Sequence, residues 1–193
     1  MLAFLRPAFA VVGLFTLLLG VAVPLAFTGA AGVALPRQAG GSLVERDGRV
    51  IGSALIGQNF TSDRYFHGRP SATSEPDPGN EGKTRDRPYN AAASAASQLG
   101  PTSAALLEAV KGRIGEARNV PADAATASGS GLDPHVSPAN AARQVARVAA
   151  ARNLPEARVR DLLSTHTEGR DLGLLGEPRV NVLGLNLALD ALR

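Results

Sequence analysis

No charged side chain lies between Arg6 and Arg37, and residues 8–27 are almost wholly Ala, Val, Leu, Phe and Gly. Twenty such residues in a helix span about 30 Å, the thickness of a bilayer's hydrocarbon core. A helix satisfies every backbone N–H and C=O internally, which that solvent demands. The segment is therefore expected to be a membrane helix over residues 7–30, preceded by a short terminus of residues 1–6 and followed by a soluble domain over 31–193. The apolar run is longer than a secretory h-region, and no crisp A-x-A site followed by a polar stretch ends it, so a retained anchor is expected. Basic residues flank both ends, Arg6 on one side and Arg37, Arg46 and Arg49 on the other. Charge counting alone sets no orientation.

The surface of this helix is uneven. Ala10, Gly13, Leu17, Gly20 and Pro24 follow one another at three- and four-residue steps, and most of them are small. Small faces let a second helix approach closely where the hydrophobic effect gives no drive. A seam for a partner helix is expected here.

Beyond the anchor the chain reads as α+β, with a small sheet and several helices. The segment SLVERDGRVIGSALIG is expected to form two short strands around Asp47-Gly48, a dipeptide suited to a tight hairpin. Residues 71–88 are rich in Pro, Gly, Ser and charge and read as an irregular polar loop. Helices are expected over 102–118, from a Ser137 cap with Pro138 at the first position to about Arg152, and from Pro155 onward. In the last of these Val159, Leu162 and Leu163 point inward and Glu156 pairs with Arg160. ARNVPAD (117–123) and ARNLPEA (151–157) echo each other as a helix end, an elbow and a restart at proline. A short strand at residues 180–182 is expected to run into a terminal apolar helix. Most of the sheet is thus assigned to the first half and most of the helix to the second.

Several segments carry the residue types of known chemistry. DPGNEGKT (77–84) ends like a nucleotide-binding loop, but Asp77 stands at the first glycine position and Pro78 removes an N–H that a phosphate cradle uses. No apolar strand precedes it, so it reads as a surface loop. TASGSGLDPHVSP (126–138) gathers Ser128, Ser130, Asp133 and His135, the residue types of a nucleophile, base and orienter. A hydrolase using Ser130 and His135 is one reading. The other is a tight turn in which Gly129 and Gly131 supply positive φ while Asp133 and Ser137 bond the backbone. His67, His135 and His166 lack the spacing of a metal site, so no metal is expected. Arg143, Arg147, Arg152, Arg158 and Arg160 read as a solvated helix face or a contact for an acidic partner. The formal charge of +3 is spread among acids, and Phe60, Tyr65, Phe66 and Tyr89 are the aromatics beyond the anchor. Without aromatic platforms beside the basic groups, nucleic-acid binding is not expected. The chain has no cysteine, which excludes a disulfide scaffold.

Five further segments, together with the anchor, carry a resemblance. They are SALIGQNF (53–60) with Gly57, Gln58 and Phe60; YFHGRPSA (65–72) with Arg69, Pro70 and Ser71; YNAAASAASQLGP (89–101); the 126–138 segment with Ser128, Gly129, Ser130, Gly131, Asp133, Pro134 and His135; and LGEPRVNVLGLNLAL (175–189) with Gly176, Glu177, Pro178, Arg179 and Asn181. In these the chain resembles the C subunit of the Kdp-type potassium-transporting ATPase, the KdpC family, over essentially its whole length. Gln98 and Gly184 depart from the expected pattern, where Asn and Glu would stand. The resemblance implies a non-catalytic accessory subunit of a high-affinity ATP-driven potassium uptake complex, one that helps assemble it and acts as a catalytic chaperone raising the ATP affinity of the hydrolysing subunit. It implies two partners, a channel-like potassium-translocating subunit and a P-type subunit that forms an aspartyl-phosphate. This chain has no D-K-T-G-T motif for that step. ATP and potassium are then handled by the complex, with no cofactor assigned to this chain. The implied location is the bacterial inner membrane, with residues 1–6 cytoplasmic and the soluble domain outside the cytoplasm.

Overall fold

The computed structural model describes the backbone of residues 2–192 and the side chains of residues 4–192. It divides into two units, residues 1–50 and 51–193. In the first, α1 (Leu2–Leu17) continues through a π-turn at Leu18–Ala22 into α2 (Val23–Ala34). The apolar run Phe4–Ala34 is long enough to cross a membrane by length and composition, and none of its most apolar window is buried. The wider turn has a local cause. Pro24 lacks an N–H and its ring would collide with the carbonyl four residues back, so the helix loosens just before it. The Val23 N–H accordingly reaches five residues back, to the Leu18 carbonyl. A short α3 (Pro36–Ala39) follows.

Strands β1 (Leu43–Arg46) and β2 (Arg49–Ser53) pair side by side, as the sequence suggested. Asp47 and Gly48 have φ of +53° and +73°, the double left-handed geometry that a two-residue hairpin turn requires.

In the second unit, residues 71–88 are not irregular. They contain an antiparallel hairpin of β3 (Ser74–Pro76) and β4 (Thr84–Asp86), with Glu75 opposite Arg85. Glu75 bonds Arg85 at 2.8 Å and also pairs with Arg87. These cross-strand charges order a stretch whose composition carries no strand pattern. Helix α4 (Ala104–Ile114) is capped by the Ser103 hydroxyl, which accepts from the Leu106 N–H. It is shorter than expected because Gly115, with φ of +52°, ends it. Pro121 precedes α5 (Ala122–Ala125).

Strand β5 (His135–Val136) leads into α6 (Pro138–Arg152), whose first turn is capped by Ser137 accepting from the Asn140 N–H. Asn153 then turns left-handed, Leu154 packs on the core, and Pro155 caps α7 (Glu156–Thr165). The echo at 117–123 repeats part of this: Asn119 also has positive φ, and Pro121 also caps a helix. Arg160 and Glu156 pair at 2.7 Å, and Val159 and Leu163 are buried. Strands β6 (Thr167–Glu168) and β7 (Arg179–Asn181) come next, and β7 passes directly into α8 (Val182–Ala191).

The sheet that carries the core is antiparallel, in the order β5-β7-β6, with Val180 facing both Val136 and Thr167. It lies wholly in the second half, so the expectation that the first half supplies the main sheet fails; the first-half strands form only two-stranded hairpins. The apolar faces of α6, α7 and α8 close over it, with Val145, Val148, Val159, Val180, Leu185 and Leu189 fully excluded from water.

One fully buried first-half side chain joins this core. Phe66 is buried, and Asn186 on α8 holds its backbone from both sides, accepting from the Phe66 N–H at 2.8 Å and donating to its carbonyl at 2.9 Å. A polar residue in an apolar helix thus replaces a missing strand neighbour. Two of the five arginines assigned to a solvated or partner face are also structural. Arg147 donates to the carbonyls of Asp63 and Tyr65, while Arg152 pairs with Asp190 at 2.8 Å and lies 4.9 Å above the Tyr65 ring.

Candidate functional site

Residues singled out at 57–58, 69–71 and 128–135 converge on a single knot beside β5. The Gly57 N–H donates to the Leu132 carbonyl at 2.8 Å. A side chain at Gly57 would overlap the Tyr89 ring and stand 2.6 Å from the Asp133 carbonyl, so the approach needs a residue without Cβ. Gln58 donates to the Ile51 carbonyl at 2.7 Å, and the Ser128 N–H leans toward the Pro70 carbonyl. Ser71 donates to the Gly131 carbonyl at 2.7 Å and accepts from the Tyr89 N–H at 3.0 Å. Gly131 has φ of +69° and is buried between Thr73 and the Ala95 carbonyl. Gly129, which is exposed, does not share that conformation, so only one of the two glycines expected to take positive φ does.

Asp133 is the hub of the charges. One carboxylate oxygen lies 3.0 Å from the Arg69 guanidinium; the other accepts the His135 N–H at 2.9 Å, with the His135 Nδ1 at 3.7 Å. Arg69 also reaches the Ala127 carbonyl, and its buried Nε has no partner among the described residues. Tyr89 donates its hydroxyl to the Arg69 carbonyl at 2.8 Å. Burial, and then the Asp133 charge, push the Tyr89 phenol up to about 12, so it stays a donor. Asn181 connects the knot to β7: its amide donates to the Ala54 carbonyl, and its oxygen caps α8 through the Gly184 N–H. The Val182 N–H closes the circuit on the Pro134 carbonyl at 2.9 Å.

This wiring leaves little for acid–base chemistry. Ser130 accepts the Leu132 N–H at 3.1 Å through its hydroxyl and takes the Ala95 N–H and the Ser94 hydroxyl on its carbonyl. No hydrogen bond joins Ser128 or Ser130 to His135 among the described residues, and the Asp133 oxygen that would orient an imidazole holds a backbone amide instead. The loop at 77–84 is equally committed. It joins two strands rather than a strand and a helix, and Asp77 accepts from the Gly79 N–H and the Asn80 amide. Those bonds, Asn80 first, hold the Asp77 carboxyl below its ordinary range. His166 is spent on the Leu162 carbonyl at 2.9 Å, and no three potential metal-ligating side chains gather among the described residues.

Two open clefts flank Arg69. One, of about 450 Å³, is bordered by Arg69, Arg143, Gln144 and Arg147, and the other, of about 430 Å³, by Asp123, Asp133, His135 and Arg179. In the second, burial pushes the Asp123 carboxyl up, but donation from the Ser137 N–H, the Asn140 amide and the Ser137 hydroxyl outweighs it and leaves the pKa lowered.

The knot joins five distant segments, and most of its polar groups are bonded to backbone. The family model described as K+-transporting ATPase, c chain, matches residues 5–191. The chain belongs to the KdpC family. Three curated relatives, each named potassium-transporting ATPase KdpC subunit, are similar over their full length. That of Methylobacterium nodulans is 59% identical, covering 100% of this chain and 98% of the relative. The Methylorubrum extorquens protein is 59% identical over 98% of this chain and 97% of the relative. The Rhodopseudomonas palustris (strain BisB18) protein is 58% identical over 99% of each. The KdpC match thus takes in both the apolar helix and the packed unit.

Within this KdpC-family chain the residues named from sequence fall into three groups. Those of 57–58, 69–71, 128–135 and Asn181 meet in the knot. Phe60 instead stacks near Tyr65, ring centres 5.4 Å apart, at the edge of the core. Gly176, Glu177 and Pro178 lie on the exposed turn that leads into β7, and Arg179 bridges outward to Glu168 and Asp171. Asn186, Gln144, Asp123 and Tyr89 escaped sequence reasoning. Asn186 had a readable signal, a lone amide inside VLGLNLAL; Tyr89 with φ of +61° had none.

Proposed function

We propose that this chain is the membrane-anchored, non-catalytic subunit of a potassium-transporting ATPase complex, anchored in the bacterial inner membrane with its packed unit outside the cytoplasm. In this reading residues 1–6 are cytoplasmic and the helix spans the bilayer. The partners are a channel-like potassium-translocating subunit and a P-type ATP-hydrolysing subunit. The chain stabilises their assembly and raises the ATP affinity of the hydrolysing subunit indirectly, through contacts rather than a nucleotide site of its own. The observation that carries the reading is the family match over 5–191. The engagement of the Ser130 hydroxyl by the Leu132 N–H and of Asp133 by Arg69 and the His135 backbone supports a non-catalytic role.

The helix seam of Ala10, Gly13, Leu17, Gly20 and Pro24 is proposed to meet a partner helix. A Cβ at Gly13 would touch nothing within 4 Å, and one at Gly20 only Thr16, at 4.0 Å. Gly20→Leu is therefore accommodated within this chain, and any effect must arise between chains. Co-purification of the full chain with the two large subunits, and loss of both recovery and potassium-stimulated ATP hydrolysis in Gly20→Leu, are the expected results. Unchanged assembly and turnover in that variant would remove the seam from the proposal. Failure of the unaltered chain to bring down the large subunits would remove the proposal itself.

A further inference from the structure

The turn between β6 and β7 shows its apolar side chains to solvent. Leu172, Leu174 and Leu175 are 90%, 81% and 61% exposed. The tip is nevertheless well held. Asp171 and Leu175 exchange two backbone hydrogen bonds of 2.9 Å, the Gly173 N–H reaches the Arg170 carbonyl, and the Leu174 N–H reaches the Asp171 carbonyl. A collar of ion pairs braces its base: Arg170 grips both Glu177 oxygens at 2.9 Å, and Arg179 pairs with Glu168 at 3.0 Å and Asp171 at 3.5 Å. Leu172 has φ of +54°, an unfavourable backbone for a bulky residue. Nothing in this chain's core gains from holding three leucines in that pose. Backbone strain kept at an exposed apolar tip points to a use outside the fold.

We propose that the 172–175 tip is a docking knob that seats in an apolar socket on another protein subunit of the potassium-transporting ATPase complex, an inference that rests on the function proposed above. Charge selects this occupant over two others. Three carboxylates and two guanidiniums in the collar leave it one negative charge, and no lysine or aromatic residue lies within 168–179, so an anionic lipid surface is disfavoured. A second copy would oppose two like-charged collars.

The test compares the full chain, co-expressed with the large subunits, with Leu172→Gln/Leu174→Gln and with Leu107→Gln, an exposed leucine on α4 used as control. The knob variant is expected to retain the large subunits about a hundredfold less tightly, with the melting temperature of the chain unchanged. Leu107→Gln should retain them normally. A photo-crosslinking phenylalanine analogue at position 172 is expected to attach to a large subunit, and this readout decides the matter if the double variant melts early. Full retention by the double variant, or cross-links only to lipid or to a second copy of the chain, overturns the proposal while leaving the subunit assignment standing. If the unaltered chain retains no large subunit, both fall together.

Discussion

Two glycine-punctuated turns precede short strands of the same sheet, and they spend their side chains in opposite directions. In residues 126–138 the polar groups turn inward: Asp133 takes Arg69 and a backbone amide, Ser130 takes Leu132, and Gly131 lies buried under Thr73. In residues 169–178 the charged groups satisfy one another at the base and the leucines point away. Both turns use left-handed glycine, Gly131 in one and Gly173 and Gly176 in the other. The difference teaches how to divide labour from structure. Residues of the first turn are determined by this chain's own packing, so their replacement should register as stability. Leucines of the second are nearly independent of the packing, so their replacement should register in assembly.

The hardest test of the inward turn is Gly131→Ala. The new Cβ would stand 2.6 Å from the Thr73 methyl and 2.7 Å from the Ala95 carbonyl, at a φ that already disfavours alanine. Overpacking against backbone together with this strain is expected to destabilise the chain by about 3 kcal/mol, measured by denaturant titration. A loss below about 0.5 kcal/mol, the level of an ordinary surface change, would show that the knot yields easily and would erase the contrast.

A smaller effect is expected at Asp123, which ties the start of α6 to the segment before the knot through Ser137 and Asn140. Its folded pKa lies below the ordinary carboxylate value, so folding favours the charged form. The resulting stability is complete above about pH 5 and fades as the pH falls through the lowered folded pKa. With screening at a largely solvated group allowed for, Asp123→Asn is expected to cost about 1 kcal/mol near neutrality. Melting curves of the variant and the parent should converge in acid. A difference that stays constant to pH 2 would assign the effect to packing rather than charge.

The contrast between the turns also explains what the sequence disclosed. The long apolar N-terminal helix, the Asp47-Gly48 hairpin and α6 were legible because each rests on local chemistry: an uncharged run, a turn dipeptide, and Ser137 followed by Pro138. Strand β7 was legible as the short strand at 180–182 running into the last helix, but its partners β5 and β6 were not, because each is two residues long and too short to show alternation. Their pairing depends on residues more than ten positions apart, and the backbone of Phe66 is completed by Asn186, 120 residues away. The 126–138 segment was recognised as a turn from its composition, but its partners Ser71 and Tyr89 lie in another part of the chain. Gln98 is instructive in a different way. It occupies a left-handed conformation, φ of +52°, that asparagine tolerates better, so the departure from the expected residue falls where the backbone itself gives the reason.

The finest discrimination between the two turns comes from Leu172→Gly, where the fold and its proposed use oppose each other. Removing the side chain relieves a positive φ that leucine adopts at a penalty, and it sacrifices no buried contact, since Leu172 is 90% exposed. Glycine also loses more backbone entropy on folding, which takes back part of the gain. The net expectation is a stabilisation of about 0.5 kcal/mol, read from the denaturation midpoint, together with weaker retention of the large subunits. Gly131→Ala makes the inverse exchange in the inward turn and is expected to lose stability first. If Leu172→Gly instead destabilised the chain, the tip would be packed against something within it, and the two turns would no longer differ in kind. A leucine held where glycine fits the backbone better, with its side chain in water, is what the proposed contact with another subunit would account for.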